Sequence, residues 1–130
     1  MDAKDTVLSG LTVLIIEDEF LIAADIQRIV EDHGAAGALL ASSTAAARGF
    51  LDGGQTIDIG ILDLRLGDED GLPLARELRD RGIPFVVATG LERSIGLADV
   101  VVVQKPYNDR EVVDALLKAR AASRLARTGD

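Results

Sequence analysis

The fold is decided by the apolar stretch at residues 57–64, which reads IDIGILDL and has Asp63 near its end. A nearly continuous apolar run of this length is typical of a parallel strand covered on both faces of its sheet. A carboxylate that closes such a strand lies at the carboxyl edge of the sheet, where open α/β sheets bind their ligands. An aspartate in this position is more often a helix cap or a turn residue than a reactive group. The role of Asp63 therefore depends on the residues that end the other strands.

Composition narrows the class of protein before any motif is considered. The chain has 130 residues, of which 48% are apolar and 28% charged, so it can form one domain with its own core. It has no cysteine, which excludes a disulfide, a thiol nucleophile and a thiolate metal site. The net charge of -8 argues against a nucleic-acid partner. No run approaches the roughly 18 apolar residues of a membrane span, and the N-terminus lacks a signal-peptide pattern, so we expect a cytoplasmic protein with no membrane partner.

Strand and helix patterns alternate along the chain. We predict strands at residues 12–16, 36–41, 57–64, 84–88 and 100–103. Helices are predicted from Phe20 to Gly34, from Ser43 or Thr44 to about Leu51, from Pro73 to Gly82, and after Asn108. The connection at residues 91–99 has room for only about two helical turns, so a helix there is expected to be frayed, 3₁₀-like or absent. This alternation predicts an α/β fold with a doubly wound, five-stranded parallel sheet.

Domain boundaries follow from the same patterns. Residues 1–10 are predicted to be an N-terminal tail, residues 11–125 the domain, and residues 126–130 a C-terminal tail. In the last helix, Asn108 and Glu111 have the spacing of a capping box.

Polar residues follow four of the predicted strands. Because right-handed crossovers place the carboxyl ends of all parallel strands at one edge, these residues should lie together. They are Glu17, Asp18, Asp63, Thr89 and Lys105. Three close carboxylates repel one another, so a positive charge must lie among them, and an all-oxygen set without histidine or cysteine suits Mg²⁺. A metal, an ammonium group, a hydroxyl and the backbone N–H beside a glycine are suited to phosphoryl transfer, with Asp63 as the nucleophile.

On these residues, the chain resembles the receiver domain of bacterial two-component response regulators. The matching stretches are VLIIEDE at 13–19, ILD at 61–63, ATG at 88–90 and QKP at 104–106. The resemblance covers residues 11–125. It implies a flavodoxin-like strand order of 2-1-3-4-5 with a shortened or absent fourth helix. It also implies a stand-alone, single-domain phosphoacceptor.

The resemblance implies a role for each site residue. Asp63 would accept the phosphoryl group from a histidine kinase. The implied Mg²⁺ ligands are Asp18, Asp63 and the backbone carbonyl of Arg65, with Glu17 acting through water. The implied ligands of the phosphoryl oxygens are Lys105, Thr89 and the backbone N–H groups of Leu64 and Gly90. Arg65 and Leu91, two places after the acceptor and the hydroxyl, are candidates for setting the lifetime of the phosphate. A cis bond before Pro106 is common in the family.

The chain departs from the family pattern in three places. Val102 occupies the position of the aromatic switch residue, the loop at 67–71 reads GDEDG in place of a proline-containing loop, and the segment between Thr89 and Lys105 is short. The stretch VATGLE at 87–92 partly resembles the FAT GUY branch, which is named for a Phe-Ala-Thr-Gly-hydrophobic-Tyr motif. That branch is often paired with HWE histidine kinases, so such a kinase is an expected partner. We hypothesise that phosphorylation orders residues 91–99.

Several functions remain possible on the sequence alone. The leading one is a phosphoacceptor that signals by protein contact, as a shuttle, a competitor or a phosphate sink. A phosphatase of the haloacid-dehalogenase type needs a second acid two places after its nucleophile, where this chain has Arg65. A flavodoxin-type carrier needs a phosphate-binding loop after the first strand, where acidic residues 17–19 would repel it. The last alternative is a receiver-like interaction module that is not phosphorylated.

Overall fold

The computed structural model describes residues 6–90 and 100–128, with side chains described through residue 124. The strands are β1 (Thr12–Ile16), β2 (Gly37–Ala41), β3 (Ile59–Asp63), β4 (Arg65–Leu66), β5 (Glu69–Asp70), β6 (Phe85–Thr89) and β7 (Val101–Gln104). The helices are α1 (Phe20–Asp32), α2 (Thr44–Asp52), α3 (Leu72–Asp80) and α4 (Asp109–Thr128). None of these helices is long and apolar enough to span a bilayer.

The main sheet has five parallel strands in the order β2-β1-β3-β6-β7. Strands β4 and β5 form a separate antiparallel pair, so the main sheet has the predicted 2-1-3-4-5 order. Strand β3 is central and all of its five residues are buried, as its continuous apolar run predicts. The doubly wound α/β fold is therefore confirmed.

Two apolar layers cover the sheet, one on each face. Val13, Ile15 and Ile61 pack with residues of α1 and α4 on one face. Leu14 and Leu62 pack with residues of α2 and α3 on the other. Because successive residues of a strand point to opposite faces, one short apolar run supplies both layers. The carboxyl ends of the strands are thereby held at one common edge.

The helix ends follow the local sequence signals. The Asn108 N–H donates to Glu111 Oε1 at 2.9 Å and the Glu111 N–H donates to Asn108 Oδ1 at 2.8 Å, which confirms the capping box. Ser43 caps α2, because its hydroxyl accepts a hydrogen bond from the Ala46 N–H at 3.1 Å. Gly34 follows α1 with a φ of 95°, a conformation that favours glycine.

The structure differs from the predicted boundaries at both ends of the domain. Leu8, placed in the N-terminal tail, is completely buried in the core, and its N–H donates to the His33 carbonyl at 2.9 Å. The folded unit therefore begins before residue 11, because this leucine covers apolar surface near the end of α1. At the other end α4 continues to Thr128, within the segment predicted as a tail. The expected fourth helix falls on residues 91–99, which lie outside the described residues.

The loop after β3 is more ordered than the sequence indicates. Arg65 pairs with Asp70 and Leu66 with Glu69, which forms the β4–β5 hairpin. Gly67 lies in the turn with a φ of 60°. The acidic loop is thus a defined structure beside the carboxyl edge of the sheet.

Candidate functional site

Three carboxylates meet at the carboxyl ends of β1 and β3. Glu17, Asp18 and Asp63 each offer one oxygen, and these oxygens lie within 4.8 Å of one another. Glu17 is 3% exposed and Asp63 9% exposed, whereas Asp18 is exposed to solvent. The cluster is therefore buried on one side and open on the other.

Lys105 supplies the positive charge at this edge. Its Nζ lies 2.8 Å from Asp63 Oδ2 and 3.4 Å from Glu17 Oε1. Its backbone N–H donates to the Thr89 carbonyl at 2.8 Å, and the peptide bond to Pro106 is cis. The strand order thus brings residues 17, 63 and 105 into direct contact across the sheet.

The pKa values of Glu17 and Lys105 reflect both burial and the excess of negative charge in this cluster. The pKa of Glu17 is raised from 4.5 to about 7, chiefly because its carboxyl is buried. The negative charge of Asp63 also raises this pKa, whereas the hydrogen bond from the Glu19 N–H lowers it. Burial alone would lower the pKa of Lys105, but the hydrogen bond and charge of Asp63 outweigh it and raise that pKa. One ammonium group faces three acids. The donor set is made only of oxygens, so the residues present fit a hard divalent cation such as Mg²⁺.

Backbone groups of the β4–β5 hairpin hold two of the acids. The Arg65 N–H donates to Asp63 Oδ1 at 2.9 Å, and the Gly67 N–H donates to Asp18 Oδ2 at 2.9 Å. Gly71 closes the hairpin against β3: a Cβ there would lie 2.9 Å from the Asp63 carbonyl oxygen. Only glycine fits this close approach without a shift of the backbone.

The open side of the cluster is a pocket of about 380 Å³. The residues that line it are Asp18, Glu19, Asp63, Leu64, Arg65, Gly67, Thr89, Gly90 and Lys105. Most of the predicted site is therefore brought together, with Glu17 in contact with Lys105 instead of lining the pocket. Leu91 lies outside the described residues. Glu19 and Gly67 also line the pocket but were not among the predicted site residues, although a glycine four places after Asp63 is a signal for a turn at the pocket edge.

The doubly wound α/β fold carries an aspartate, two further acids and a lysine at its carboxyl edge. A sequence model of the response regulator receiver domain matches residues 13–117, so the chain belongs to the receiver-domain family of two-component systems. Domains of this family accept phosphoryl groups in signalling and are not classical enzymes. They bind Mg²⁺ at an acidic pocket, and this chain has such a group of acids.

Individual relatives agree with this assignment. The chain is 35% identical over 114 residues to the transcriptional regulatory protein AruR of Pseudomonas aeruginosa. This match covers 78% of this chain and 46% of AruR. It is 35% identical over 109 residues to the TorCAD operon transcriptional regulatory protein TorR of Escherichia coli K12, with the same coverage of 78% and 46%. The chain therefore spans about half the length of these relatives. A response regulator receiver protein from Sinorhizobium medicae superposes with a TM-score of 0.79 at 28% identity, covering 89% of this chain and 98% of that one.

Proposed function

We propose that Asp63 accepts a phosphoryl group from the phosphohistidine of a sensor histidine kinase or of a phosphotransfer protein. In this step the P–N bond of the phosphohistidine breaks, its electron pair returns to the imidazole nitrogen, and an Asp63 carboxylate oxygen forms the new P–O bond. The observation that carries the proposal is the position of Asp63. It lies at the end of the central strand, between the Lys105 ammonium and two further acids, and it lines an open pocket.

Four groups would hold Mg²⁺ in this proposal. They are the carboxylates of Asp18 and Asp63, the backbone carbonyl of Arg65, and Glu17 through a water molecule. When bound, the metal would offset the charge that collects on the phosphoryl oxygens. The position of the three acids supports this assignment, because each offers one oxygen and these oxygens lie within 4.8 Å of one another.

Lys105 and Thr89 are proposed to bind the phosphoryl oxygens, together with the N–H groups of Leu64 and Gly90. The Lys105 ammonium already contacts Asp63 Oδ2 at 2.8 Å, so it is placed to follow the negative charge onto the transferred group. Thr89, Leu64 and Gly90 line the same pocket. Within the described residues, a Cβ at Gly90 would meet nothing within 4 Å, which supports an accessible backbone there.

Arg65 and Leu91 are proposed to set the lifetime of the phosphate. The Arg65 side chain is exposed at the pocket edge, where it can restrict the approach of a hydrolytic water. Substitution of Arg65 should therefore change the rate of dephosphorylation more than the rate of phosphorylation. The decay of the phosphorylated protein by intact mass measures this difference.

We further propose that the domain works in the cytoplasm as a response regulator, with an HWE-type kinase as a phosphoryl donor. The signal would pass by contact with another protein or end in a phosphate sink; the net charge of -8 disfavours nucleic acid as the partner.

Ordering of residues 91–99 on phosphorylation is proposed as the switch, in place of the aromatic that Val102 replaces. Amide exchange of residues 91–99 with and without a phosphoryl mimic tests the switch, and unchanged protection would refute it.

The acceptor itself is tested with a small-molecule phosphodonor and Mg²⁺, read by intact mass. The wild-type protein should gain one phosphoryl group and Asp63→Ala should gain none. Asp68→Asn is a matched control, because Asp68 is an exposed acid of the adjacent hairpin turn. Modification of Asp63→Ala at the wild-type rate would place the acceptor elsewhere, and an unmodified wild-type protein would favour a receiver-like interaction module.

A further inference from the structure

The β4–β5 hairpin is attached to helix α2 through one side chain. Glu69 Oε1 accepts a hydrogen bond from the Thr44 N–H at 3.1 Å, and Glu69 Oε2 accepts one from the Thr44 hydroxyl at 3.0 Å. Thr44 is the first residue of α2, where the helix leaves N–H groups without an intrahelical partner. Both carboxylate oxygens of Glu69 are therefore used to hold one residue of another element.

The same hairpin orients two acids of the proposed metal site. Its turn residue Gly67 donates its N–H to Asp18 Oδ2, and its first residue Arg65 donates its N–H to Asp63 Oδ1, each at 2.9 Å. Among the residues that the structure describes, the Gly67 bond is the one hydrogen bond of the Asp18 side chain. Asp18 is exposed, so without this bond its carboxylate would sample several rotamers.

The first strand of the hairpin is held by Leu66, which is buried in the core, whereas its turn and second strand have no buried side chain. Each of its strands has two residues, and its turn and second strand are exposed. A pair of strands this short is marginal by itself in water. The bonds from Glu69 to Thr44 hold the exposed second strand against α2, and they thereby help to keep the Gly67 N–H where it meets the Asp18 carboxylate.

We infer that Glu69 is a positioning residue for Mg²⁺ binding, acting through the hairpin on Asp18 and Asp63 without contacting the metal. This inference rests on the proposed function, because it concerns the same cation site. Partners that orient metal ligands typically change metal affinity by about 10- to 100-fold. Glu69 acts one step further away and is exposed, so we expect Glu69→Gln to raise the dissociation constant for Mg²⁺ by about 3- to 10-fold, below that range.

Charge and position can be separated with a matched variant. Asp68→Asn removes one negative charge from the same hairpin, and within the described residues the Asp68 side chain makes no hydrogen bond. If Glu69 acts only by long-range attraction of the cation, both variants should weaken Mg²⁺ binding equally. If Glu69 positions the hairpin, Glu69→Gln should weaken binding several-fold more than Asp68→Asn.

Variants of Thr44 test the contact from its other side without a change of charge. Thr44→Val removes the hydroxyl that donates to Glu69, so it should weaken Mg²⁺ binding in the same direction as Glu69→Gln. Thr44→Ser keeps both donors and should bind Mg²⁺ as the wild type does. In the double variant Glu69→Gln/Thr44→Val the losses should not add, because both substitutions weaken the same contact.

The experiment is a calorimetric Mg²⁺ titration of each variant of the 130-residue chain, with unfolding in urea plus EDTA to show that each is folded. Phosphorylation by a small phosphodonor gives a second readout. Phosphorylation of Glu69→Gln should be slow at low Mg²⁺ concentration and reach the wild-type rate at saturating Mg²⁺. A general loss of structure would instead lower the rate of phosphorylation at every Mg²⁺ concentration. Equal Mg²⁺ affinities of Glu69→Gln, Asp68→Asn and wild type would overturn the inference alone. Absence of Mg²⁺ binding by the wild type would instead overturn the proposed function.

Discussion

Replacing Glu17 by glutamine should change how the stability of the metal-free domain depends on pH. The folded-state pKa of Glu17 is raised to about 7 from 4.5, because its carboxyl is buried at the acidic cluster. The folded protein then holds this proton more tightly than the unfolded chain does. The stability associated with it is fully present below pH 4.5 and is lost as the pH rises through about 7. Glutamine removes the titration while it keeps an oxygen that can accept from the Glu19 N–H, which lies 3.2 Å from Glu17 Oε2.

The magnitude follows from the difference between the two pKa values. One unit corresponds to about 1.4 kcal/mol, so a rise from 4.5 to about 7 corresponds to about 3 kcal/mol between pH 4 and pH 8.5. This is an upper value, because the cluster is open to solvent on one side and water there stabilises the ionised carboxylate. The free energy of unfolding of the wild type should therefore fall, relative to that of Glu17→Gln, by about 1 to 3 kcal/mol over this range.

The assay is urea unfolding in EDTA at a series of pH values for the wild type, Glu17→Gln and Glu19→Gln. Glu19 is an exposed carboxylate two residues away, so its variant makes the same chemical change outside the buried cluster. Comparison with this variant shows how much of any change comes from replacing a carboxylate near the cluster by an amide. Adding Mg²⁺ at pH 8.5 should stabilise the wild type more than Glu17→Gln, because the cation replaces the missing counter-charge. Parallel pH profiles for the wild type and Glu17→Gln would refute the reasoning.

Three further predictions, one with Gly49→Ala as its control, test the packing of the fold. Gly71→Ala should lower the free energy of unfolding by about 1 to 3 kcal/mol, because its Cβ would lie 2.9 Å from a backbone oxygen. In α2, a Cβ at Gly49 would have no atom within 4 Å, so Gly49→Ala should raise the free energy of unfolding by about 0.5 to 1 kcal/mol. Urea unfolding measures both changes. Asp109→Asn should remove the ionic contact between Asp109 of α4 and Arg28 of α1. The hydrogen bond from Arg28 lowers the pKa of the Asp109 carboxyl, so this contact stabilises the fold at neutral pH. In unfolding curves, the loss of stability caused by Asp109→Asn should therefore be present at neutral pH and vanish as the pH falls from 3.8 through the lowered pKa. Leu8→Ala should lower the free energy of unfolding by about 2 to 5 kcal/mol in the same assay, because Leu8 is completely buried in the core. A change near zero would show that Leu8 belongs to the N-terminal tail.

The chain order of elements and most of the site could be predicted because both depend on local patterns. An apolar run identifies β3 as a strand buried on both faces, and the handedness of crossovers then places Asp63, Glu17 and Lys105 at one edge without knowledge of any contact. The capping box at Asn108 and Glu111 is equally local, since its two hydrogen bonds join residues three apart. These features are written in neighbouring residues, which is why the sequence alone was sufficient for them.

Other features of the domain depend on contacts between distant parts of the chain, which no local pattern encodes. Leu8 is one apolar residue in a polar segment, and only the surface left open by α1 decides that it is buried. Glu69 and Gly67 belong to an acidic loop whose two-residue strands are too short to have a period, and they contact residues 25 and 49 positions away. The sequence therefore determined which groups meet at the carboxyl edge, because strand ends are set by local chemistry. The tertiary structure alone decided how the hairpin orients those groups, because that depends on the packing of elements far apart in the chain.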